Sequence, residues 1–274
     1  MRVTVPLLLK RNYFYNCGSI PKAGQKRATD AVKGWLKSSK YPRFSAIMDV
    51  RKFYETCPHN KVMKALRRII KDERLLFFHK LILLSMSSSG VGLAIGYYPS
   101  PWYANLVLSI IDNTIKEKYG RKIRYGKRST VPKIRMVRYA DDIILFSNNR
   151  RILRLAREDI SQILEKMSMS LKPNWRILMI KRNGVYFLGY RFFHNFTIMQ
   201  KRLMRDVARR SVKAFLRRSL HGLRGVLSDI GILNQCNSYN FRTAWVYNLY
   251  SINKFKKVVG DYDRSRIRLQ ATTV

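Results

Sequence analysis

The sequence predicts an α+β fold, and three observations carry that prediction. Short apolar runs bounded by turn residues, "RFSAIMDV" (43–50) and "KIRMVRYADDIILFS" (133–147), read as buried strands. Longer stretches with helical spacing lie between and after them. The two kinds of segment do not alternate regularly, which argues against a doubly wound parallel sheet.

Taken in order, "NCGSIPKAGQ" (16–25) is a turn-rich loop punctuated by Gly and Pro. "QKRATDAVKGWLKSS" follows with Ala28, Val32, Trp35 and Leu36 on one helical side. "NKVMKALRRII" (60–70) reads as an amphipathic helix. At "GVGLAIGYYPSPWYANLVLSIIDNTIKEKYG" a glycine-rich loop runs into a long helix starting near Ser100, with Ser100 as cap and Pro101 at the first helical position. The run 133–147 is strand, tight turn, strand, with Ala140, Asp141 and Asp142 at the bend. "RRILRLAREDISQILEKMSMSL" is a helix whose apolar face is Ile152, Leu155, Ile160, Ile163 and Leu164. "GVYFLGYRFFHNFTIM" is a further strand or hairpin. From about Gln200 the pattern is helical and strongly basic, with Leu203, Val207, Val212, Phe215 and Leu216 as an interrupted apolar stripe.

Hydrophobic residues make up 46% and aromatics 12% of the 274 residues, enough for a sizeable core and against global disorder. The chain carries 55 Lys+Arg against 16 Asp+Glu, a net charge of +39. A surface that positive repels itself unless a polyanion neutralises it, which points to nucleic acid. An anionic membrane surface fits less well, because the charges run through the whole sequence and form no short polybasic anchor. Cys17, Cys57 and Cys236 stand far apart with no CxxC, implying neither a disulfide framework nor a zinc site. The longest apolar stretch, "LLFFHKLILLSM", is interrupted by His79 and Lys80 and is too short to span a bilayer. "MRVTVPLLLKR" lacks a signal-peptide cleavage site. A cytoplasmic protein that does not enter membranes is expected.

Within so basic a chain, "YADDIILF" (139–146) sets Asp141 beside Asp142, where each raises the cost of ionising the other unless a cation holds them. A third acid, Asp49, ends the apolar run "FSAIMD", where packing gives no reason for a carboxylate. Three such acids could converge on divalent cations. Mg²⁺ prefers carboxylate oxygen and is completed by waters and substrate phosphates. Two such ions about 3.5–4 Å apart clamp the attacking and leaving oxygens of a phosphoryl displacement.

The motifs sharpen this. "RYADDIILF" resembles the central catalytic motif of reverse transcriptases, and "FSAIMDVRKFYETCPH" their first palm motif. "GLAIGYYPSPWYANLVLSIID" resembles the loop and helix between them, and "GVYFLGYRF" the hairpin after the palm. The resemblance implies a right-hand polymerase palm over 41–195, with a partial fingers region at 1–40 and a basic helical thumb at 196–274. It implies two Mg²⁺ ions, for which Mn²⁺ can substitute, on Asp49, Asp141, Asp142 and the carbonyl of Val50. Tyr54 falls where the family places an aromatic that excludes a ribose 2′-hydroxyl. Ile95 and Gly96 lie at the incoming base pair, and Lys172, in "SLKPNWRI", near the triphosphate. Lys22, Lys26, Arg27, Ser100, Asn105, Arg205, Arg209 and Arg210 are candidate nucleic-acid contacts. The implied partners are dNTPs, a template RNA and an RNA/DNA duplex.

Within the family, "NCGSIPKAG", "DVRKFY", "IGYYPS" and "FLGYRFFHNFT" resemble the enzymes of diversity-generating retroelements, as does Ile95 where other members carry Gln. That subgroup implies a small basic accessory variability protein as a further partner. Ser100-Pro101 follows the other reverse transcriptases instead. Residues 1–48 before Asp49 are fewer than the resemblance implies, so a shortened fingers region is expected. Two alternatives stay open: a truncated, non-catalytic nucleic-acid-binding remnant and a group II intron-type enzyme.

Overall fold

The computed structural model describes residues 1, 3–10, 12–38, 42–120, 124–125, 128–129, 132–217, 220–249, 257 and 260. The chain divides into two compact units, Met1–Gly184 and Val185–Val274. In the first, helices α1 (Thr4–Lys10) and α2 (Gly24–Lys37) precede strand β1 (Phe44–Asp49). A single helical turn α3 (Phe53–Thr56) leads to α4 (His59–Arg67), α5 (Glu73–Met86) and the long α6 (Ser100–Tyr119). A short ribbon, β2 (Arg124–Tyr125) and β3 (Arg128–Ser129), comes next, then β4 (Arg135–Tyr139), β5 (Asp142–Ser147) and α7 (Arg150–Glu165). Strand β6 (Arg176–Met179) and the turn α8 (Ile180–Asn183) close the unit.

The sheet that positions the site has strand order β4-β5-β1-β6, all neighbours antiparallel. Its centre is apolar on both faces: Ile143, Ile144, Leu145 and Phe146 are all buried, which explains an unbroken run where a half-exposed strand would alternate. Ile143 and Leu145 join Ala46 and Met48 in a core closed by α6 and α7. The edge strand β4 is covered by the segment before α2. Arg138 N donates to Tyr15 O at 3.0 Å, Cys17 N to Arg138 O at 2.9 Å, and the Tyr13 hydroxyl to Met136 O at 3.1 Å. An edge covered in this way offers no free ladder to another chain.

The helical expectations hold in outline and shift in detail. On α7 the buried residues are Leu153, Ala156, Ile160 and Leu164, while Leu155 is exposed. The 153/156/160/164 spacing follows one helix face more closely than a stripe through Leu155. Ser100 does not cap α6. It lies inside the helix, buried, and its hydroxyl donates to Ala94 O at 2.7 Å, fastening the preceding loop. Helix α5 is capped instead by Asp72, which accepts from the backbone N–H groups of Arg74 and Leu75.

In the second unit, β7 (Val185–Phe187), β8 (Tyr190–Phe192) and β9 (Thr197–Met199) form an antiparallel sheet. Helices α9 (Lys201–Arg217) and α10 (Leu220–Leu233) follow, then α11 (Tyr239–Arg242) and a π-helical turn, Thr243–Tyr247. The core face of α9 is Val207, Ser211 and Ala214; Phe215 and Leu216, expected on the apolar stripe, are exposed. The end of the expected "NSYNFRTAWVYNLYSINKF" continuation, from 250, lies outside the described residues. No helix of the described residues is long and apolar enough to cross a membrane.

Candidate active site

Strand register brings the three acids together. Asp49 ends β1 directly opposite Asp142, the first residue of β5, and Asp142 also pairs with Tyr139 across the hairpin. The bend is therefore Ala140-Asp141, and Asp142 belongs to the strand. Ala140 has φ 55°, a left-handed conformation costing a residue with a Cβ about 1–3 kcal/mol and held only where its surroundings dictate it.

The site's electrostatics follow from this crowding. Burial, then the neighbouring Asp49 and Asp141 charges, push the Asp142 carboxyl up to about 6. Asp141 is raised as well, first by burial and then by Asp49. Asp49 has one oxygen, Oδ1, buried without a hydrogen-bond partner. Its other oxygen accepts from the Lys172 ammonium. Lys172 is placed there by its backbone: its N–H donates to Asp49 O at 2.8 Å, Arg51 N to Ser170 O at 2.8 Å, and Val50 bridges to Leu171.

An orphaned carboxylate oxygen and two further carboxyls with raised pKa values suit a hard divalent cation, which would relieve all three. Among the described residues no group of three His, Cys, Asp or Glu side chains is gathered closely enough to hold an ion as it stands. In this arrangement the Lys172 ammonium offsets the charge of Asp49 alone.

A family model described as "Reverse transcriptase (RNA-dependent DNA polymerase)" matches residues 14–192, more than half of the chain. The chain belongs to the reverse transcriptase family. Protein YkfC of Escherichia coli strain K12 is 28% identical over 172 residues, 52% of this chain and 45% of that protein. Among solved structures, telomerase from Candida albicans in complex with a TWJ fragment of telomeric RNA superposes with TM-score 0.56. It is 12% identical, covering 96% of this chain and 49% of that one. Apo telomerase from Candida tropicalis gives TM-score 0.54 at 12% identity, covering 74% of this chain and 40% of that one. The chain thus spans less than half the length of each of these relatives. The likeness establishes an α+β polymerase fold of palm, fingers and thumb type.

The other predicted residues fall at different distances from the acids in chemical terms. Tyr54, on α3, is half-buried, and its hydroxyl pKa is raised by burial and then by Asp141, so it faces the site. Ile95 is 84% exposed and Gly96 has φ 89°, a loop tip held in a conformation that favours glycine. Lys22 and Lys26 are exposed, Lys26 pairing with Asp30 at 2.7 Å, and the Arg27 guanidinium stands 4.8 Å from the Phe14 ring centre. Arg205 and Arg209 are exposed on α9.

Of the predicted nucleic-acid contacts, Ser100 and Asn105 are buried, and Arg210 is exposed but paired. Ser100 is buried against the loop, as described. Asn105 is buried, its amide donating to Gly18 O at 2.8 Å and its oxygen accepting from Arg138. Arg210 makes a two-pronged pair with the buried Asp229 of α10, at 2.7 and 2.9 Å. A basic residue in an amphipathic helix does not show from sequence alone which acid it will find.

Sequence reasoning missed Arg138 and Asp112. Both are fully buried, and their side chains form a two-pronged ion pair at 2.6 and 2.8 Å. The signal was present: one arginine inside the apolar strand "MVRY" and one aspartate inside the apolar helix "LVLSIID", opposite charges each with no solvent to face.

Proposed function

We propose that this chain is an RNA-directed DNA polymerase. The observation that carries this is the convergence of Asp49, Asp141 and Asp142 at one end of the β1–β5 pair, in a chain of the reverse transcriptase family. Asp49, Asp141, Asp142 and the Val50 carbonyl would hold two Mg²⁺ ions, with Mn²⁺ able to replace them. Bound there, such ions would supply Lewis-acid chemistry for phosphoryl transfer. The chain's own contribution is to gather three carboxyls at one end of the β1–β5 pair and to orient the substrates. Tyr54 stands beside Asp141, where its ring would meet a ribose 2′-hydroxyl and favour dNTPs. The exposed Ile95–Gly96 tip lets backbone approach the nascent pair. Lys172 is one side-chain swing from Asp49 and would pass from that carboxylate to the incoming triphosphate. Exposed Lys22, Arg205 and Arg209 would bind phosphates of template RNA and of the RNA/DNA duplex, positioning them without reading sequence.

Primer extension on an RNA template with dNTPs and Mg²⁺, wild type against Asp141→Asn, tests this. The wild type extends and the variant does not, while both bind RNA with the same salt dependence. Equal loss of extension and RNA binding would remove the metal-site assignment. The finer reading, that the enzyme serves a diversity-generating retroelement with a small basic accessory protein, rests on the motif resemblance and on Ile95. Sequencing the cDNA from the same reactions tests it: errors concentrate opposite template adenine, and an even spectrum would sink it. One observation favours a second reading, a nucleic-acid-binding member without catalysis: the Lys172 ammonium already neutralises Asp49. RNA binding with no extension by the wild type would select that reading.

A further inference from the structure

We propose that the buried Arg138–Asp112 pair, together with Asn105, is a positioning device that grips the backbone of the acid-bearing turn from behind and sets where Asp141 and Asp142 stand. The inference rests on the polymerase reading for its consequence, but its geometry is independent of it.

A guanidinium has five N–H donors in a fixed fork, and all five of Arg138 are directed to acceptors. Nε and Nη2 hold the two Asp112 oxygens at 2.8 and 2.6 Å. Nη1 donates to Asn105 Oδ1 at 3.1 Å and to Ala140 O at 2.8 Å, and Nη2 makes a longer contact of 3.5 Å to Asn105 O. Asp112 and Asn105 are seven residues apart, two turns along one face of α6, so a single rigid helix presents both acceptors.

The decisive acceptor is Ala140 O. It belongs to the planar peptide unit that joins Ala140 to Asp141, so fixing it fixes the plane from which the Asp141 Cα departs. The turn needs such a hold, because Ala140 sits in the left-handed region at φ 55°. It is held from a second direction by Gly18, where an added Cβ would lie 2.2 Å from Ala140 N. Asn105 ties the two holds together, since its amide donates to Gly18 O while its oxygen accepts from Arg138. The same helix begins at Ser100, whose hydroxyl fastens the Ala94 carbonyl of the loop carrying Ile95 and Gly96. Helix α6 is therefore the common mount for the acid turn and the base-pair loop.

Stability alone does not require charges here. A buried ion pair is commonly matched or exceeded by apolar residues of similar volume. What apolar residues cannot do is donate to Ala140 O.

The test uses that distinction in the full chain. Arg138→Met combined with Asp112→Leu removes both charges together, and Gly18→Ala keeps both charges while disturbing the turn from its other side, through Ala140 N and the Asn105 amide. Each is compared with wild type for melting temperature, RNA binding, Mn²⁺ binding followed by electron paramagnetic resonance, and single-nucleotide extension. The expected result is a double variant that stays folded, melts somewhat below wild type because Ala140 O and Asn105 Oδ1 lose their donor, and binds RNA normally. Its Mn²⁺ affinity falls, and its extension rate at saturating dNTP drops on the order of 10²-fold, the scale of a misplacement of about 1 Å. Gly18→Ala shows the same loss of Mn²⁺ affinity, which keeps the test decisive should the double variant not fold. Wild-type Mn²⁺ affinity in whichever of these variants folds would overturn the proposal. If wild type itself fails to extend, the polymerase reading falls, yet the Mn²⁺ comparison still decides whether the fork positions the acids.

Discussion

Two cation–carboxylate pairs flank the aspartate hairpin, and they are built differently. Arg138 and Asp112 are 0% and 1% exposed, joined by two prongs, with every other guanidinium donor directed to backbone or amide oxygen. Lys172 and Asp49 are 42% and 26% exposed, joined through one oxygen of the acid, while the other oxygen has no partner. The first arrangement cannot change without leaving a charge stranded in the core. The second is the one able to exchange, because an ammonium on a flexible, partly exposed stem can leave its partner for water. The difference separates a fixed pair from an exchangeable one at the same hairpin.

Breaking the first pair on one side is the largest effect. Arg138→Ala strands Asp112 and leaves Ala140 O unpaired, and should cost about 3–5 kcal/mol, read as a lowered midpoint in urea unfolding. A loss below 1 kcal/mol would mean that the pair is not sealed from water.

Asp142→Asn is next and carries a pH signature. The folded pKa, about 6, lies above the ordinary 3.8, so the folded state binds the proton more tightly than the unfolded chain. Its contribution to stability is fully present below about 3.8 and is lost as pH rises through about 6. With chelator present, Asp142→Asn should therefore stabilise the protein at pH 8, by well under the roughly 3 kcal/mol of the full shift because solvent screens a partly exposed carboxyl, and change little at pH 4. No gain at pH 8 would show that the acids are not crowded.

The smallest effect sharpens the contrast. Lys172→Met removes a partly exposed pair and should move stability by about 0–1 kcal/mol, while raising the KM for dNTP. Destabilisation on the scale of Arg138→Ala would make the two pairs equivalent and erase the distinction.

Much of this was legible in the chain. The apolar runs ending at Asp49 and starting after Asp142 specified two buried strands with acids at their ends, since a carboxylate there has no packing role. The charge of +39 pointed to a polyanionic partner, and the segment carrying the four ordered motifs is the one the family model matches. Helix spans were readable to within a few residues, but faces were not: Leu155 and Leu216 are as apolar as their neighbours, and only the sheet and helices they pass decide which is covered.

What the sequence determined by itself is local: strand, turn and helix patterns, and the chemistry of the side chains they carry. The tertiary structure alone decided which acceptors the cations find. Arg210 meets Asp229, Lys172 meets Asp49, and Asn105 turns inward to Gly18 and Arg138. The physical reason is that a buried polar group, such as the Asn105 amide or the Asp229 carboxylate, must be matched by whatever group the fold brings within about 3 Å. That partner stands 19 residues away for Arg210 and 123 for Lys172, beyond the reach of any local pattern.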